Sequence, residues 1–111
     1  MDIKVKNKKD SYIISIIGDV DASSSISLDK AMETAIHHAP KNILVDGKEL
    51  SYISSAGLGV FMSYLEDLRE KEIFFAIYGL SEKVENVFEI LGLNDLMTIV
   101  PDEEAVKRLQ K

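Results

Sequence analysis

Short β-branched apolar runs alternate with stretches of helical period along nearly the whole chain, and no other feature limits its possible folds so much. Residues 12–17, 42–46, 73–78 and 96–100 read as strands. The first three are apolar on both faces, as strands inside a covered sheet are. Helical patterns follow them. Leu28, Ala31, Met32, Ala35 and Ile36 form one buried stripe, and Leu58, Phe61, Met62, Leu65 and Leu68 a second that ends near Glu70. Val84, Val87, Phe88 and Leu91 form a third, and Ala105, Val106 and Leu109 a last one opened by Pro101 and Asp102. At the start, Ile3 and Val5 alternate with Lys4 and Lys6, which predicts an edge strand over 2–6 joined through Asn7–Asp10 into a hairpin with 12–17. Gly18 is expected to end the second strand, Gly47 and Lys48 to break the third, and Gly92 to stop the third helix. The order β-β-α-β-α-β-α-β-α predicts an α/β domain: a small mixed, mostly parallel sheet packed with about four helices.

At 111 residues this is one core and one domain, 1–111, without internal repeat or linker. A net charge of −6 argues against a nucleic-acid partner, since phosphate backbones need a basic surface. The lysines at 4, 6, 8 and 9 read as guards of a sheet edge against strand pairing. With no cysteine there is no disulfide and no thiolate metal site. The start Met1-Asp2-Ile3-Lys4 lacks the apolar core of a signal peptide, and no apolar run approaches the roughly 20 residues that span a bilayer. A cytoplasmic protein with no membrane insertion is expected.

Asp19 and Asp21 have a spacing seen in metal sites, but two carboxylates before a helix serve equally as dipole partners. His37 and His38 are adjacent on a helix, so their side chains diverge and cannot hold one ion together. No metal and no cofactor is predicted. Nor does an enzyme emerge. A nucleophilic Ser54 or Ser55 needs a base within reach, and the only histidines close the far end of another helix. Gly57-Leu58-Gly59 lacks the third glycine of a dinucleotide fingerprint, and there is no Walker lysine.

The stretch Leu50–Phe61 carries the most functional information. Two serines precede the helical pattern that begins at Leu58, where a hydroxyl can cap the helix and its dipole favours a phosphate. Gly57 and Gly59 each cost about 1 kcal/mol relative to Ala inside a helix. Two so close together suggest either tight packing on the sheet or an approach to the backbone of the first turn.

Ser54-Ser55-Ala56-Gly57-Leu58-Gly59-Val60, after an apolar strand and Leu50-Ser51-Tyr52-Ile53, resembles the signature of the STAS domain, and more specifically that of bacterial anti-sigma factor antagonists. Gly18-Asp19-Val20-Asp21 is similar to the family's acidic element after the second strand, and Leu91–Leu96 to its Gly-Leu turn after the third helix. The resemblance covers nearly the whole chain. It implies that Ser55 is a phosphoacceptor, with Ser54 as the alternative. It also implies two partners, an anti-sigma factor with serine kinase activity and a metal-dependent serine phosphatase, and a switch in which only the unphosphorylated form binds the anti-sigma factor. The binding rim it implies comprises Asp19, Asp21, Ala22, Ser23, Ser54, Ser55, Ala56 and Gly57. Two positions depart from the family pattern. Ser54 stands where an Asp is usual, and Ala56 where Ser or Thr is common. A constitutive interaction module without a phospho-switch, such as a transport-complex subunit or a signalling scaffold, is the alternative these departures leave open.

Overall fold

The computed structural model describes residues 1–110; Lys111, the last residue of the expected domain, lies outside the described residues. The chain folds in the order β1 (Asp2–Lys8), β2 (Ser11–Val20), α1 (Ser25–His37), β3 (Asn42–Ile53), α2 (Ser55–Glu70), β4 (Phe74–Tyr78), α3 (Glu82–Ile90), a 3-10 turn (Leu93–Asp95), β5 (Thr98–Val100) and α4 (Glu103–Leu109). The five strands form one sheet in the order β1-β2-β3-β4-β5. β1 runs antiparallel to β2, and every other pair is parallel. The expected α/β architecture is therefore present, with the opening hairpin at one edge and β3 at the centre.

Alternation along the strands divides the core between the two faces. Ile14, Ile16 and Val20 of β2, Ile43 and Val45 of β3 and Ile77 of β4 join Leu28, Met32, Phe61 and Phe88 in one cluster, and all ten are fully buried. On the other face Ile13, Leu44, Ala76 and Tyr78 meet Val106 of the short α4. A polar contact ties α2 to α1: the Tyr64 hydroxyl donates to Asp29 Oδ1 at 3.0 Å. Burial, and then the neighbouring Asp29 carboxylate, raise the Tyr64 phenol to about 12.

Several expected boundaries are corrected. β1 reaches Lys8, leaving only Lys9 and Asp10 to turn the chain. Gly18 does not end β2; with φ 96° it stays paired to Leu50, and the strand continues to Val20. Gly47 and Lys48 do not break β3, which runs on to Ile53 while bulges opposite Ser15–Ile17 and Gly18–Asp19 absorb its extra residues. At Gly47 a Cβ would lie 2.5 Å from Leu80 Cδ2, so a larger residue there would have to displace the Leu80 side chain. β4 begins at Phe74 rather than residue 73, and β5 keeps only Thr98–Val100. Met62, Leu91 and Leu109, expected in the core, are 45%, 56% and 54% exposed. At about 100° per residue Met62 falls on the margin of the stripe set by Leu58, Phe61, Leu65 and Leu68.

Candidate functional site

Because β2 and β3 are parallel, their C-terminal ends reach the same rim, with Asp19 paired to Tyr52 and Val20 to Ile53. The backbone N–H of Ser54 donates to the Val20 carbonyl at 2.8 Å, so the turn into α2 is tied to the end of β2. Asp19, Asp21, Ala22, Ser23, Ser55 and Ala56 are exposed there and Ser54 is half-buried. Seven of the eight expected rim residues thus share one surface. The eighth, Gly57, is buried and faces the core.

The two serines have different positions. Ser54 is extended and is the N-cap of α2: its Oγ accepts the Gly57 N–H at 3.3 Å and its carbonyl accepts the Leu58 N–H at 3.0 Å. Ser55 is the first helical residue and is exposed. The first turn of α2 contains no acidic residue, so the positive end of its dipole carries no compensating charge of its own. Serine is as good a cap as aspartate. The departure at position 54 therefore keeps the helix start and removes one negative charge beside Ser55.

The glycines also differ. A Cβ on Gly57 would lie 2.7 Å from Ile53 Cγ1 and 2.8 Å from Val20 Cγ1, whereas one on Gly59 would meet nothing within 4 Å. Gly57 lets α2 sit directly on the ends of β2 and β3. Gly57→Ala should overpack this junction and cost about 1–3 kcal/mol, read as a lower denaturant midpoint with an unchanged m-value. Near-neutral behaviour would mean that the junction is looser than this geometry.

Asp21 is engaged locally. Its Oδ1 accepts the Ser24 N–H at 2.9 Å, the Ser23 hydroxyl at 2.9 Å and the Ser24 hydroxyl at 3.0 Å, while Ser24 Oγ accepts the Asp21 N–H at 2.8 Å. The Asp21 carbonyl also accepts the Ser25 N–H at 3.0 Å, so a capping box closes one turn ahead of α1. The Ser24 N–H first, then the Ser23 and Ser24 hydroxyls, hold the carboxyl at about 2, below its ordinary 3.8. A depressed carboxyl contributes stability that is complete above its unfolded value and lost as pH falls through the folded one. Melting temperature should therefore fall between about pH 4 and about pH 2, and Asp21→Asn should flatten that acid limb. An acid limb unchanged by the substitution would show that the box contributes nothing.

One feature of the site was read from sequence as core. A groove of about 350 Å3 beside Ser55 is lined by Ser55, Leu58, Gly59 and Met62 of α2 and by Leu91 and Leu93 after α3. The signal was Leu91-Gly92-Leu93. Gly92 is left-handed at φ 74°; Leu91 before it is exposed, and Leu93 after it is buried. Among the described residues no three His, Cys, Asp or Glu side chains gather into a metal site, and no helix is long and apolar enough to cross a membrane. His38 packs against Tyr12 with ring centroids 5.2 Å apart and the rings tilted by 38°, at the end of α1.

Residues 2–106 match the STAS domain model. The anti-sigma-B factor antagonist of Listeria monocytogenes is 32% identical over 100 residues, covering 87% of this chain and 86% of that protein. The crystal structure of an anti-sigma factor antagonist from Mycobacterium paratuberculosis superposes with a TM-score of 0.89 at 18% identity, over 97% of this chain and 92% of that one. The anti-sigma factor antagonist SpoIIAA superposes in its unphosphorylated form with a TM-score of 0.81 at 22% identity, over 98% and 96% of the two chains. Its phosphorylated form from Bacillus gives 0.72 at 21% identity, over 98% and 100%.

Proposed function

The chain belongs to the STAS domain family, among the anti-sigma factor antagonists, and from that premise we propose that it works in the cytoplasm as a switch controlled at Ser55. Unphosphorylated, it binds an anti-sigma factor and so releases a sigma factor. That anti-sigma factor is also its serine kinase, a metal-dependent phosphatase reverses the mark, and the chain itself catalyses nothing.

The observation that carries this reading is the unequal placement of the two serines. Ser55 is exposed on the first turn of α2, whereas the Ser54 hydroxyl is held in the helix cap. A kinase must reach the hydroxyl it modifies, and Ser55 meets that requirement without disturbing the cap. The phosphate would stand at a helix N-terminus that favours anions and lacks an acidic residue of its own. The mark is then compatible with the fold and acts on the surface alone.

Paired variants test this. In a pull-down with the anti-sigma factor and ATP, Ser55→Ala should remain bound, and Ser55→Asp should bind at least about tenfold more weakly than the unmodified chain, a loss of about 1.4 kcal/mol. Equal binding by both variants would remove Ser55 from the interface and leave a constitutive interaction module.

A further inference from the structure

Gly59 has no evident use in the chain's own fold. A Cβ there would meet nothing within 4 Å, and Gly59 is not among the positive-φ glycines, which are Gly18, Gly79 and Gly92. Inside a helix a glycine is about 1 kcal/mol less favourable than alanine. Stability alone thus favours alanine at 59, in contrast to Gly57. What Gly59 does is leave the backbone of α2 uncovered at the edge of the groove beside Ser55. Leu58 and Leu93, each 3% exposed, form the floor of that groove, and Met62 and Leu91 stand open at its sides. None of the six lining residues is charged, so the groove selects an apolar group.

We propose that Gly59 is a specificity-determining contact position for the anti-sigma factor: the partner's chain crosses α2 against the Gly59 backbone and seats an apolar side chain between Met62 and Leu91. This rests on the reading of Ser55 as the switch and deepens it. The occupant is the anti-sigma factor because the groove is continuous with Ser55, the group that partner must hold in order to modify it. The arrangement also explains how a phosphate would act. At the groove mouth it would be desolvated against leucine and methionine with no cationic side chain among the lining residues to pair with it.

The test uses Gly59→Ala and Gly59→Leu in the full chain, with Ser55→Asp alongside, in calorimetric titrations with the anti-sigma factor of the same bacterium and in thermal melts. Both Gly59 variants should melt at or above the unsubstituted chain. Binding should weaken about tenfold for alanine and about a hundredfold for leucine, which is about 1.4 and 2.7 kcal/mol, while Ser55→Asp weakens it by at least about tenfold. If Ser55→Asp binds weakly but Gly59→Leu binds as well as the unsubstituted chain, the groove assignment is overturned and the Ser55 reading stands. A lower melting point for Gly59→Ala would show that the glycine serves the fold and would equally overturn it. So would self-association of the chain abolished by Gly59→Leu with anti-sigma factor binding intact, since the occupant would then be a second copy. No binding by the unsubstituted chain would end both readings.

Discussion

A chain carrying phosphate on Ser55 should bind the anti-sigma factor more than about a hundredfold more weakly than the unmodified chain, while melting at or only a few degrees above it. The two halves of this result have separate causes. In the free chain the added charge, roughly −1.5 to −2, lies in solvent beside the uncompensated N-terminus of α2, where an anion stabilises by about 0.3–1 kcal/mol. For a domain of this size that is a shift of a few degrees. In the complex the same group loses its water and gains no cation from the groove beside it. A penalty of about 3 kcal/mol is modest for burying an incompletely paired charge, and at about 1.4 kcal/mol per decade it already exceeds a hundredfold. Titration of the phosphorylated and unmodified chains, with a thermal melt of each, reads both halves. A large fall in melting temperature would mean that the mark acts by disrupting α2 and not at the surface.

Phe61→Ala should cost about 3–5 kcal/mol, enough to leave a large share of such a domain unfolded at physiological temperature. Phe61 is fully buried, and its ring lies 6.0 Å from that of Phe75 at 46°, joining α2 to β4. Truncation leaves a cavity between a helix and a sheet that are both held by other contacts, so collapse cannot recover the loss. Chemical denaturation measures this directly. The contrast with Gly59→Ala, about 3 Å along the same helix axis and opposite in its expected effect on stability, separates residues that build α2 from a residue that serves its exposed side. A Phe61→Ala loss under about 1 kcal/mol would contradict the packing described for this junction.

The alternation of strand and helix patterns was enough to predict the sheet, its antiparallel start and the helix that carries Ser55, because each depends on short-range periodicity. What the sequence could not disclose depends on contacts between distant segments. Gly47 and Lys48 look like a break, yet β3 continues through them on its pairing with β2, and Gly47 lies close under Leu80, a residue 33 positions away. Gly57 and Gly59 look alike in sequence, and the positions of Ile53 and Val20 distinguish a packing glycine from an open one. Met62 and Leu91 fit a helical stripe, but both lie at the margin that faces the groove. Asp21 was read both as a partner contact and as a local helix neighbour. The capping box with Ser24 gives it the second role.

The most direct test of the switch is to incubate the chain with its anti-sigma factor and ATP and to locate the phosphate by mass spectrometry of the digested protein. The mark should be found on Ser55, with Ser54→Ala modified to the same extent and Ser55→Ala not at all. Phosphate on Ser54, or on neither serine despite a tight complex with the kinase, would contradict the account and make this chain a constitutive interaction module.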